Sequence, residues 1–271
     1  MTELSIVTVI QARTGSTRLP EKVLLDICGK PLLLRMVERV QLSRFAGRVV
    51  VATSTKPEDD IIEKLCRKND ISCFRGHPTD LLDRHYQAGL KYLAEAVVKI
   101  PSDCPLIDPK VIDKVISFYL DNIREYDFVS NLHPATYPDG NDVEIISFHK
   151  LKIAWEHATK EYEREHTTPH FWENPDKFAI GNVKWETGQN FSASHRWTID
   201  YEEDYQFIKR VYEELYHYNP AFELSDILNL LDKKPEIEEI NKKYQGRYWY
   251  ENHLEELKNI DEFKKQMNKE S

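Results

Sequence analysis

The first 120 positions alternate between two hydrophobic periods. Ser5–Ile10 is a short apolar run that predicts a strand. Pro31 stands where a helix would open, and Leu33, Met36, Val37 and Val40 then recur at helical spacing. VVVAT (49–53) is continuous and apolar, as a strand buried on both faces should be. Pro57–Asn69 reads as a helix, Ser72–Phe74 as a short strand and Leu81–Ala94 as a second helix. AVVKI (96–100) is again a strand, and Pro109 opens a helix running to about Leu120. This alternation predicts an α/β fold: a mostly parallel sheet with helices on both faces.

The pattern changes after about residue 126. DFVSN (127–131) and DVEII (142–146) read as strands, Phe148–Tyr162 as one helix, and Phe178–Trp185 as part of a hairpin or lid. Ser194–Ile199 returns to the strand pattern and Tyr201–Tyr216 is strongly helical. Short helices follow, ending in an amphipathic stretch carrying Leu254, Leu257, Ile260 and Phe263. No repeat or low-complexity linker interrupts the chain. The expected organisation is a domain over 1–216, with an inserted arm at about 131–195 for acceptor binding or dimerisation, and a helical extension over 217–271.

Composition narrows the function classes. The 271 residues are 41% hydrophobic and 31% charged, with a formal net charge of −9. Such an acidic balance argues against nucleic acid as a partner. No apolar run approaches the roughly 20 residues that span a bilayer, and the first residues lack a signal-peptide pattern, so a cytoplasmic protein without a membrane partner is expected. Cys28, Cys66, Cys73 and Cys104 form no C-x-x-C pair and read as small buried thiols.

Against that acidic background, the segment after the first strand is rich in positive charge: Arg13, Arg18 and Lys22 fall within RTGSTRLPEK (13–22). Ligands of parallel α/β sheets bind at the carboxyl ends of the strands, so this exposed loop is well placed. It contains neither G-x-G-x-x-G nor the P-loop pattern. Gly15 permits close backbone approach, Ser16 and Thr17 offer hydroxyl and amide donors, and three cations surround them. Together they suit a polyphosphate.

The same residues carry a family resemblance. Ala12, Arg13, Gly15, Ser16, Arg18, Pro20 and Lys22 resemble the A-R-x-G-S-x-R-x-P-x-K signature of cytidylyltransferases that activate acidic sugars. The branch most similar is the spore-coat-polysaccharide type, related to CMP-sialate and 3-deoxy-manno-octulosonate cytidylyltransferases. The likeness continues in order through VVVATS (49–54), LLDRHYQA (81–88), SDCPLIDP (102–109), DGNDVEIIS (139–147), REHTTPH (164–170) and RWTIDYEEDYQFI (196–208). It implies a Rossmann-like nucleotidyltransferase sheet and a Mg²⁺-dependent cytidylyltransferase. CTP and a small acidic acceptor, a sugar acid for cell-surface polysaccharide, would give a CMP-linked product and pyrophosphate, with a homodimer as the expected assembly.

Nucleotidyl transfer needs charge neutralisation, hence carboxylates for Mg²⁺ beside the basic loop. Asp103 follows the AVVKI strand at the same edge, and Asp200 ends WTID; the resemblance implies that both are metal ligands. Each has an ordinary alternative: Asp103 as a turn or cap residue before Pro105, and Asp200 as a helix N-cap with Glu203 completing a capping box. Arg13, Lys22, Asp103 and Asp200 are the expected catalytic set. The resemblance implies nucleotide contacts from Ala12, Arg13, Gly15, Ser16, Arg18, Lys22, Ser54, Arg75 and Arg84. Asp142, Glu144, Arg164, His166 and Arg196 are the acceptor-side candidates, the basic ones because an anionic acceptor requires cations. Three rivals stay open: a sugar-1-phosphate nucleotidyltransferase using UTP or dTTP, a glycosyltransferase, and an inactive nucleotide-binding module.

Overall fold

A computed structural model describes residues 4–246. In chain order the strands and helices are β1 (Ile6–Gln11), β2 (Asp26–Ile27), β3 (Lys30–Pro31), α1 (Leu32–Gln41), β4 (Arg48–Ser54), α2 (Asp60–Lys68), β5 (Ser72–Gly76), α3 (Leu81–Lys91), β6 (Ala96–Pro101) and α4 (Pro109–Asp121). There follow β7 (Phe128–Ser130), β8 (Glu144–Ser147), α5 (Phe148–His157), α6 (Glu161–His166), α7 (Pro169–Trp172), β9 (Ile180–Asn182), α8 (Glu202–Leu215), α9 (Leu224–Lys233) and α10 (Pro235–Glu238). The main sheet has seven strands in the order β5-β4-β1-β6-β8-β7-β9. Only β8 runs against its neighbours. The expected mostly parallel α/β sheet is therefore present.

Strand alternation divides the core into two layers. Ile6, Ile10, Val51, Val98, Ile100, Val129 and Ile145 pack with α1, α4 and α8 residues on one face, and Phe222, Leu224, Ile227, Leu230 and Ile237 join that same cluster. Val7, Val9, Val50, Ala52, Val97, Phe128 and Ile146 face the other way, against Leu82 and Ala88 of α3, Leu151 and Ala154 of α5, and Phe171 of α7. Because β1, β4, β5 and β6 are parallel, their carboxyl ends lie along one edge. The loops carrying Arg13 and Asp103 leave from it, and Ser54 ends β4 there.

Three local patterns differ from the expectation. Phe148–Tyr162 is not one helix: α5 ends at His157, and Ala158 turns to φ −66°, ψ 120°. The Glu163 carboxylate accepts from the backbone N–H groups of Thr159 and Lys160, both at 3.2 Å. Those donors are lost to a continuing helix and begin a new one instead. The segment 178–185 contributes β9, which pairs in parallel with β7 rather than forming a hairpin. Residues 194–199 are not a strand but a strap across the carboxyl edge. Its hydrogen bonds go to loops: Asp139 N–H to His195 O at 2.9 Å, Trp197 N–H to Asp139 O at 2.8 Å, and Ile199 N–H to Asp103 O at 2.9 Å. The amphipathic stretch with Leu254, Leu257, Ile260 and Phe263 lies outside the described residues.

Gly140 lets the strap approach. Its φ is +102°, and a Cβ there would stand 2.7 Å from the Trp197 carbonyl carbon. Gly140→Ala should cost at least about 2 kcal/mol, measured by urea denaturation. A loss below about 0.5 kcal/mol would mean that the strap does not pack this closely.

Candidate active site

Asp204, fully buried in the first turn of α8, organises the strap. Its carboxylate accepts from Arg196 Nε and Nη2 at 3.0 Å each, from the N–H of Asp200 at 2.9 Å, from the N–H of Tyr201 at 3.0 Å, and from Asn241 Nδ2 at 3.0 Å. The capping residue is thus Asp204, one position beyond the expected Glu203, and the N-cap is Tyr201. Asp200 is not a cap. Its side chain is turned toward the basic loop.

There it meets three cations. Arg18 Nη2 is 2.8 Å and Lys22 Nζ 3.0 Å from Asp200 Oδ1, and Arg196 Nη2 is 3.4 Å from Oδ2. Lys22 also donates to Asp103 Oδ2 at 3.3 Å and to the Ile199 carbonyl at 2.6 Å. Asp103 is likewise no helix cap: its carbonyl receives the strap, and its carboxylate faces Lys22. Residues 18, 22, 103, 196 and 200 are therefore one ion cluster at the carboxyl edge. Lys22, read from sequence as an exposed loop charge, is nearly buried. Burial works against its charge, but Asp103 and Asp200 outweigh that and raise its pKa. Asp200 is lowered: burial opposes ionisation, and the Lys22 and Arg18 charges overcome it.

Two further carboxylates border the cluster. Asp139 accepts from Arg196 at 3.4 Å. Burial, then the Asp142 charge, hold its pKa well above the usual range. Asp142 is pushed up to about 7 by burial, then by Asp103 and Glu144. Among the described residues no group of three or more His, Cys, Asp or Glu side chains is arranged to hold a metal ion. Asp103 and Asp200 remain as a pair bridged by one ammonium.

The basic loop is pinned from below by Asp59, which the sequence reading missed. This buried carboxylate accepts from Thr14 N–H and Thr14 Oγ1, both at 2.8 Å, and from Ser54 Oγ. Ala12 is fixed by its N–H to Ala52 O at 3.0 Å. Ser16 Oγ accepts from Leu19 N–H at 3.3 Å. A Cβ at Gly15 would meet nothing within 4 Å, so the loop borders open space. Arg13 is exposed beside it, and its charge reaches Arg84, whose pKa falls to about 10 from burial first and Arg13 second.

Several expected ligand cations already have partners. Arg84 donates to the His77 and Pro78 carbonyls. Arg75 binds Asp60 and Glu63 together with the Ser54 and Lys56 carbonyls. Arg164 is held by Asp80 at 2.6 Å, and Arg196 by Asp204. Glu144 pairs with Lys99 on the adjacent strand. His166 ends α6 and is half-buried. His85 and His133, near Lys99, are held neutral by burial at about 3 and about 4. Lys99 was legible only as one polar residue interrupting AVVKI.

Comparison with known proteins places this geometry in context. Residues 7–260 match the family described as cytidylyltransferase. The spore coat polysaccharide biosynthesis protein SpsF of Bacillus subtilis is 32% identical over 237 residues, 85% of this chain and 95% of that protein. A 3-deoxy-manno-octulosonate cytidylyltransferase of Chloroherpeton thalassium is 38% identical over 122 residues, 44% of this chain and 48% of that one. A solved cytidylyltransferase from Leptospira borgpetersenii superposes with a TM-score of 0.83 at 33% identity, covering 91% of this chain and all of that one (100%).

The raised Asp142 carboxyl sets a pH dependence. A carboxyl whose pKa rises on folding makes its full contribution below its unfolded value, near 4, and loses it as pH rises through about 7. Asp142→Asn, measured by urea denaturation in metal-free buffer, should therefore stabilise the protein at pH 8. That gain should shrink steadily between pH 7 and pH 4. A gain independent of pH would contradict the assigned titration.

Proposed function

The chain belongs to the cytidylyltransferase family, and from that premise we propose how its site works and what it acts on. The enzyme transfers CMP from CTP. In our reading an acceptor hydroxyl attacks the α-phosphate in line, and pyrophosphate leaves. The observation that carries this reading is the knot of Arg18, Lys22, Asp103 and Asp200 at the sheet's carboxyl edge, with the Gly15 loop open beside it.

Arg13, Arg18 and Lys22 bind the triphosphate, and their charge stabilises the departing pyrophosphate. Asp59 positions the loop by holding Thr14. The hard carboxylate oxygens of Asp103 and Asp200 suit Mg²⁺, which takes one or two protein carboxylates and completes its shell with phosphate and water. When bound there, Mg²⁺ supplies charge neutralisation at the reacting phosphate. Asp204 keeps Asp200 in place by clamping the strap. Ala12 and Ser54 border the base through the backbone, since the Ser54 hydroxyl is committed to Asp59.

For the acceptor we propose a small sugar acid used in a cell-surface polysaccharide. Support comes from the named roles of the Bacillus subtilis and Chloroherpeton thalassium relatives. Arg164, Arg196 and Lys99 are each already paired with a protein carboxylate, so the acceptor's negative group would share one of these cations with Asp80, Asp204 or Glu144.

Calorimetric titration of CTP, UTP, dTTP, ATP and GTP with Mg²⁺ tests the nucleotide, and pyrophosphate release with sugar acids tests the acceptor. CTP should bind at least about tenfold more tightly than the others, a difference of roughly 1.4 kcal/mol. Preference for UTP or dTTP would overturn the reading. Asp103→Asn should lower turnover at least about 100-fold and remove its Mg²⁺ response. An unchanged metal response would remove Asp103 from the ligand set.

A further inference from the structure

The ion cluster has a consequence for how the site is loaded, and it rests on the metal reading above. We infer that the Lys22 ammonium occupies, in the nucleotide-free protein, the position between Asp103 and Asp200 that a divalent cation takes in the CTP complex, so that metal and nucleotide bind as a coupled pair.

Geometry carries the inference. An ammonium has three donors and no acceptor. Here all three have targets: Asp103 Oδ2 at 3.3 Å, Asp200 Oδ1 at 3.0 Å and Ile199 O at 2.6 Å. Lys22 is therefore saturated by the very oxygens that would face a metal. Asp200 is further engaged by Arg18 at 2.8 Å and by Arg196 at 3.4 Å. Both carboxylates are neutralised before any metal arrives.

A divalent ion entering alone must expel a nearly buried ammonium from its three acceptors, or share two carboxylates with it at close range. Either course opposes binding. A triphosphate changes the balance. It offers Lys22 and Arg18 new anionic partners on the loop that carries them, and so releases Asp103 and Asp200. Nucleotide then tightens metal binding, and by reciprocity metal tightens nucleotide binding by the same factor. Arg196 does not take part in the exchange, because Asp204 holds it.

Mn²⁺ is the probe, with the free aquo-ion followed by electron paramagnetic resonance. It is titrated into nucleotide-free protein, into Lys22→Met, and into wild type with CTP but no acceptor, the last corrected for Mn²⁺ bound by CTP alone. Wild type alone should bind weakly, and each of the other two at least about tenfold more tightly. Asp103→Asn should abolish the gain in both. The comparison with and without CTP uses wild type only and stands even if Lys22→Met fails to fold. Tight, Asp103-dependent Mn²⁺ binding to nucleotide-free wild type would overturn the inference and leave the metal reading intact. Mn²⁺ binding to the CTP complex that ignores Asp103→Asn would overturn both.

Discussion

The site depends on a single buried carboxylate. Asp204 binds the Arg196 guanidinium and the amides of Asp200 and Tyr201, and by doing so converts residues 196–200 from loose chain into a fixed strap. Without it, Arg196 would be a buried charge lacking its main partner, and the backbone amides of Asp200 and Tyr201 would lose the acceptor that fixes the strap. Removing one member of such a buried pair typically costs about 3–5 kcal/mol, far more than the pair adds relative to apolar packing. What the pair contributes here is position. It places a carboxylate from the C-terminal half opposite one that follows the fourth parallel strand.

The charge economy of an acidic chain follows from that placement. Most arginines near the carboxyl edge are satisfied by protein carbonyls or carboxylates, as Arg75, Arg84, Arg164 and Arg196 are. The loop of Arg13, Arg18 and Lys22 borders open space at Gly15; Asp59 holds its Thr14, and Arg18 and Lys22 pair with the carboxylates of Asp200 and Asp103. Positive charge is thus concentrated where an anionic ligand can reach it. The same loop's Lys22 meanwhile stabilises Asp103 and Asp200, which would otherwise repel one another.

Much of this was legible in the order of residues. Short continuous apolar runs marked β1, β4 and β6, helical spacing and Pro or polar start signals marked the helices between them, and parallel topology then set the Arg13 loop and Asp103 on one edge. Asp200 was placed correctly for an incomplete reason: it does not end a strand, and the strap that carries it is held by loops. Asp59 escaped because its contact with Thr14 spans 45 positions and leaves no local signature. Asp204 escaped because a capping pattern read one residue early selects Glu203. Arg164 and Arg196 looked like acceptor ligands because a sequence shows charge but not the carboxylate folded onto it. The break between α5 and α6 was hidden for the same reason, since Glu163 captures amides that a helical pattern assigns to α5.

The central claim is that the triphosphate of CTP and a divalent cation meet at Asp103 and Asp200. Phosphorus relaxation of CTP bound to the protein, in the presence of substoichiometric Mn²⁺, tests it most directly. The account predicts strong paramagnetic broadening of the phosphate resonances in the wild-type complex, and its loss in Asp200→Asn while CTP remains bound. Broadening that persists unchanged in Asp200→Asn, or bound phosphates that never sense the ion, would contradict the account.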